Sequence, residues 1–74
     1  MKEDLIKYFN TFKTSIKLER VNLKLSQKDM AEKIGITTQS YQAYESGLTM
    51  PTMENFLKLC KILNITPNEL LGFE

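Results

Sequence analysis

The sequence has no histidine and no tryptophan, a single cysteine, two prolines and three glycines. Without histidine there is no imidazole general base and no His-ligated zinc. One cysteine forms neither an internal disulfide nor a thiolate metal site, so the staples of small secreted domains are missing. No apolar run approaches the roughly 18 residues that cross a bilayer. The first ten residues, MKEDLIKYFN, carry acids and no apolar core, unlike a secretory signal. Strand-like alternation, internal repeats and low-complexity segments are absent as well. A cytoplasmic protein with no metal, no cofactor and no membrane association is the expectation.

What is present is 74 residues with 42% hydrophobic and 26% charged content, the balance of one folded domain over residues 1–74. So short a chain buries only about 60% of its unfolded surface, which makes for a small core. A net charge of +1 gives no pointer to nucleic acid. The distribution says more. From Lys13 to Lys33 six bases (Lys13, Lys17, Arg20, Lys24, Lys28, Lys33) face three acids, whereas Ile34 to Leu57 holds no Lys or Arg. Taken alone, such a cluster is an ordinary solvated helical face.

The glycines and prolines fall between periodic stretches, and the chain reads as five short helices, an all-α fold. Leu5, Phe9, Phe12 and Ile16 form one apolar stripe on a first helix spanning about residues 3–21, and Arg20 continues the stripe as a charge. Ser26, with Asp29 three residues on, opens a second helix whose inner face is Met30, Ala31 and Ile34. Gly35 suits a left-handed C-cap. Thr37 caps a third helix running to about Ser46, with Ile36, Tyr41 and Tyr44 pointing inward and Gly47 closing it. A fourth starts at Thr52 and faces inward through Phe56, Leu59, Cys60 and Leu63. The fifth has Thr66 as N-cap, Pro67 at its first position and Glu69 completing a capping box, and it ends before Gly72. Low contact order should make such a domain fold fast.

No Gly-rich phosphate loop or metal cluster is present, and Cys60 on an apolar helix face reads as a small core residue, so no enzymatic activity is expected. The informative segment is Gln27 to Ser46, QKDMAEKIGITTQSYQAYES. Ala31 is small where two helices approach closely, Gly35 allows a sharp turn, and apolar residues lock the pair. This is a helix-turn-helix pattern over residues 26–46, with a plain helical hairpin as the bland alternative.

At this point the chain resembles the Cro and phage-repressor type of helix-turn-helix domain, also called the xenobiotic-response-element family. The carrying residues are Arg20, Leu25–Thr37 (LSQKDMAEKIGIT), Tyr44–Gly47 (YESG), Pro51 and Leu63–Leu71 (LNITPNELL). The resemblance implies a buried bidentate ion pair between Arg20 and Glu45 that ties the first helix to the third. It implies base contacts from Thr38, Gln39, Gln42 and Ala43 at the start of a recognition helix. It also implies that Gln27 meets a phosphate and braces that helix. Ser26, Lys28, Thr37, Ser40 and Thr49 are further phosphate candidates. The implied function is sequence-specific binding of double-stranded DNA by a homodimer on a palindromic operator, in transcriptional regulation as a repressor.

Two departures from the family pattern stand out. Many members carry Lys or Arg after the glycine that ends the recognition helix, but here the loop is Leu48, Thr49 and Met50. Its phosphate contacts are expected from backbone amides and Thr49 alone. Residues 1–11 also extend the first helix beyond the usual start. They are expected either to pack as extra core on Leu70, Leu71 and Phe73 or to form an interface. Both departures keep open a second function, a protein-interaction module of the same fold such as an antitoxin or an adaptor for another regulator. A trimmed domain of a longer repressor is equally compatible with the sequence.

Overall fold

In the computed structural model, residues 2–73 are described, with side chains from residue 5 onward; Met1 and Glu74, the ends of the expected 1–74 domain, lie outside the described residues. Among the described residues five helices follow in order: α1 Lys2–Asn22, α2 Gln27–Ile34, α3 Thr38–Ser46, α4 Met53–Leu63 and α5 Pro67–Leu71. Each start after α1 has an oxygen-bearing N-cap. Ser26, Thr37, Thr52 and Thr66 accept from the backbone amides of Asp29, Ser40, Asn55 and Glu69. Asp29 and Glu69 return the bond to the cap amides, completing two capping boxes. The stops are left-handed residues: Gly35, Gly47 and Gly72, and also Asn64 after α4. α1 stops the same way, at Lys24 with φ +60°, where the Leu25 amide donates to the Arg20 carbonyl at 3.1 Å. Lys24 and Asn64 are the stops that no glycine marks in the sequence; asparagine tolerates this backbone less well than glycine but better than most residues.

The core gathers Phe12 and Ile16 from α1, Met30, Ala31 and Ile34 from α2, Tyr41 and Tyr44 from α3, Leu59, Cys60 and Leu63 from α4, and Leu70 from α5. Phe56 and Ile36, expected inside, are half-buried and pack on its margin. α1 runs along the back of the other helices and touches α3, α4 and α5, while α2 packs mainly on α3.

The apolar stripe of α1 leaves the core halfway. Phe12 and Ile16 are fully buried, but Leu5 and Phe9 are 53% and 44% exposed. The reason is length: 21 residues make a helix about 32 Å long at 1.5 Å per residue, and the four shorter helices cover only its C-terminal part. The extension is therefore divided. Tyr8 stacks obliquely on Phe73, with ring centroids 4.8 Å apart, and Thr11 lies against Gly72. Leu5, Ile6 and Phe9 stay at the surface.

Candidate nucleic-acid interface

The turn between α2 and α3 is built by Gly35. At φ +91° it donates its N–H to the Ala31 carbonyl at 2.8 Å, and Ile36 donates to the same oxygen at 3.0 Å. Both bonds occupy the end of α2 and swing the chain into Thr37. Thr37 then caps α3, accepting from the Ser40 amide at 3.0 Å while its hydroxyl donates to Ser40 Oγ at 2.8 Å. Tyr41 and Tyr44 anchor one side of α3 in the core. On the other side, Gln39 and Gln42 are exposed and Thr38 and Ala43 half-exposed.

Glu45, one turn beyond Tyr41, holds α3 to its neighbours. Arg20 Nε donates to Glu45 Oε2 at 2.6 Å and Arg20 Nη2 donates to Oε1 at 3.2 Å. The side chains are only 12% and 5% exposed. Arg20 Nη1 also donates to the Leu25 carbonyl at 2.8 Å, securing the turn between α1 and α2. Tyr41 donates its hydroxyl to Glu45, and Gln27 Nε2 donates to Glu45 Oε1 at 3.0 Å. Burial pushes the Glu45 carboxyl up, but the bonds from Arg20, Tyr41 and Gln27 outweigh it and hold the group below its ordinary value. Burial, with the bond to Glu45, pushes the Tyr41 phenol well up, so it remains a donor. The charged stripe residue Arg20 thus serves packing between helices.

Gln27 also accepts from Gln42 Nε2 at 3.1 Å, so α2 and α3 meet through their amides. Gln39 and Ala43 lie toward the other edge, where with Thr37, Ser40, Thr49 and Thr52 they line an open, hydroxyl-rich hollow. The structure therefore places Thr37, Gln39, Ser40, Ala43 and Thr49 around one depression and Gln27 and Gln42 beside it. Ser26 uses its hydroxyl oxygen to cap α2, and Lys28 is exposed in the first turn of that helix.

The loop after α3 differs from expectation. The amides of Leu48 and Thr49, expected to be available to phosphate, donate back to the Ala43 carbonyl at 3.0 and 3.2 Å. The reason is the tight C-cap at Gly47, which folds the next residues onto the helix end. A cation does reach the loop, from α1: Lys13 Cδ and Nζ lie 3.0 and 3.4 Å from where a Gly47 Cβ would stand. There the ammonium also faces the negative end of the α3 dipole. Lys13 was absent from the sequence-based site. Its signal was its place two helical turns before Arg20, on the α3-facing side of α1. Leu48 is 80% and Met50 40% exposed.

Among the described residues, no group of three or more His, Cys, Asp or Glu side chains is placed to hold a metal ion. Among the same residues, no helix is long and apolar enough to cross a membrane.

Comparison with known proteins agrees with this geometry. A helix-turn-helix family model matches residues 16–70. The chain is 44% identical over 54 residues to the cryptic phage CTXphi transcriptional repressor RstR of Vibrio cholerae, an alignment covering 73% of this chain and 48% of the relative. It is 37% identical over 63 residues to the HTH-type transcriptional regulator YqaE of Bacillus subtilis, covering 85% and 54%. It is also 37% identical over 60 residues to the SPbeta prophage-derived regulator YonR of Bacillus subtilis, covering 81% and 56%. The chain spans about half the length of the curated relatives it matches. No solved structure gives a significant match. With α2, the Gly35 turn and α3 lying inside the matched segment, the chain belongs to the helix-turn-helix family of Cro and phage-repressor type.

Proposed function

We propose that this chain is a non-enzymatic, sequence-specific DNA-binding domain of a cytoplasmic transcriptional regulator, acting as a repressor and binding a palindromic operator as a homodimer. The observation that carries the reading is the outer side of α3. It displays Thr38, Gln39, Gln42 and Ala43 on a helix pinned to α1 and α2 through Glu45. A polar helix face held rigid before it meets a ligand is what major-groove reading needs. Gln39 and Gln42 have the donor and acceptor pair that matches adenine N7 and N6, and the Ala43 methyl suits a thymine methyl. Around them, Gln27, Ser26, Lys28, Thr37, Ser40 and Thr49 meet phosphates, and Lys13 joins this set at the loop after α3. The two related regulators named as repressors or phage-derived regulators support the transcriptional role.

Few cations border α3, so one domain binds weakly and two copies on half-sites about 34–36 Å apart supply the affinity. The experiment is selection of bound duplexes from a random library at about 0.1 M salt, where non-specific contacts are already partly screened. Enrichment of an inverted repeat supports the reading, and its half-site spacing reports the dimer geometry. A folded protein that enriches no sequence overturns it.

One observation favours a second reading, a protein-interaction module. Phe9, Met50, Pro51, Met53, Phe56 and Leu71 line an open and mainly apolar groove between α1 and the start of α4. Absence of DNA selection together with a stoichiometric complex with a co-expressed neighbouring protein would establish it.

A further inference from the structure

The α1 overhang stands clear of the shorter helices and carries Leu5, Ile6 and Phe9 at the surface. Leu5 and Ile6 lie one turn before Phe9 and share its side of the helix. Phe9 in turn lines the groove with Met50, Pro51, Met53, Phe56 and Leu71, and none of these six side chains is charged. The result is an apolar ridge beside an apolar groove, with Met53 standing 71% exposed between them and the solvent. At about 200 Å² for a large side chain, the exposures of Leu5, Ile6, Phe9, Met50 and Met53 leave on the order of 500 Å² of apolar surface. A contiguous patch of that size is near the upper end of what a monomer leaves open to water. The family resemblance asks for two copies without saying which surfaces meet. The ridge lies ahead of residues 16–70, the segment that the family model matches, so it belongs to this chain's own extension.

We propose that this face receives a second copy of the chain, the α1 ridge of each copy seated in the groove of the other. The proposal rests on the homodimer reading and names its contact surface. A ridge and a groove side by side make a self-complementary patch, which a two-fold contact requires. Pairing covers about 1,000 Å² from these five side chains of both copies, and the polar surroundings add more, enough for a specific though weak dimer. Because no charge lines the groove, the copies meet there without like charges opposed. The position agrees as well. Met50 lines both this groove and the hydroxyl-rich hollow beside α3, so a copy seated here adjoins the candidate nucleic-acid interface. The molecule is 34 Å along its longest axis, close to the half-site separation of about 34–36 Å. Two copies on one operator are then near enough to touch through a projecting element, and the overhang is the element that projects.

The test is sedimentation equilibrium of the 74-residue chain at concentrations from about 1 to 500 μM, the range of a weak pair. It compares wild type with Leu5→Glu, Met53→Glu and, on the opposite side of α1, Leu18→Glu. All three side chains are exposed, so the variants should fold, as thermal melting will show. Wild type should form a dimer. In a two-fold contact each substitution counts twice, so Leu5→Glu and Met53→Glu should each weaken association about tenfold or more, and Leu18→Glu less than about twofold. A wild type that stays monomeric throughout the range overturns the proposal. So does a dimer that Leu5→Glu and Met53→Glu leave intact, or that Leu18→Glu weakens equally, since the contact would then lie elsewhere. No DNA enters this measurement, which separates it from base reading. An inverted repeat that wild type, Leu5→Glu and Met53→Glu bind alike would keep the homodimeric operator and overturn this face. Self-association lost in both variants, in a chain that selects no DNA, would keep the face and overturn the operator reading. A monomeric chain that instead binds a co-expressed neighbouring protein, with Met53→Glu blocking the complex, would give the groove to that protein and overturn the proposal.

Discussion

Glu45 accepts hydrogen bonds from α1, α2 and its own helix, through Arg20, Gln27 and Tyr41. Removing one partner of so enclosed a pair leaves a charge without its counterpart. Arg20→Ala should therefore lower stability by roughly 3 kcal/mol. In a domain of this size that corresponds to a fall of about 12–24 °C in Tm, and a variant melting with wild type would refute the structural role. Gln39→Ala should do the reverse, relaxing base preference in duplex selection while leaving Tm nearly unchanged, because Gln39 is exposed. The carboxylates also set the response to acid. Glu45, Asp29 and Glu69 are all held below their ordinary values in the folded chain, so the unfolded chain takes up protons first. Their stabilisation is complete above the ordinary glutamate value of 4.5 and is lost as pH falls through the lower folded values. The urea midpoint should decline between about pH 5 and 3, and a flat profile there would contradict these bonds.

Gly35 decides how α2 meets α3. A Cβ at this glycine would touch nothing, so the cost of a side chain there comes from the backbone alone, at φ +91°. Gly35→Ala should cost about 1–2 kcal/mol in urea unfolding, and Gly35→Asn less, because asparagine tolerates the left-handed region. Equal costs would show that space, not backbone angle, is limiting. Gly47 differs, since a Cβ would press on Lys13 at 3.0 Å as well. The helix starts could be read directly from Ser26, Thr37, Thr52 and Thr66 because an N-cap acts within three residues. The end of α4 could not, because Asn64 caps with φ 54° and asparagine is also common in ordinary loops.

The distribution of charge over the fold makes its own claim. Between Ile34 and Leu57, which includes all of α3, no side chain is cationic, and Lys13 is brought in from α1. DNA affinity should therefore depend weakly on salt for a protein of this type, with log K against log salt sloping about −3 or less per subunit. A slope steeper than about −5 per subunit would mean more phosphate contacts than these residues supply. Leu5, Ile6 and Phe9 are left outside the core because α1 overhangs its partners.

Local signals in the chain were enough for the five helices, their N-caps and glycine stops, the Gly35 turn and most of the core, since caps and apolar periodicity act within one or two turns. The pairing of Arg20 with Glu45 was legible through family resemblance, because the two lie 25 positions apart and no local rule joins them. Three features came from packing alone. The apolar stripe of α1 loses its cover where the shorter helices stop. Lys13 reaches Gly47 because α1 crosses the end of α3. The amides of Gln27 and Gln42 meet because Glu45 orients one of them. Periodicity assigns a residue to a face of its own helix, but what lies opposite that face depends on how the helices cross, and distant parts of the chain set that together.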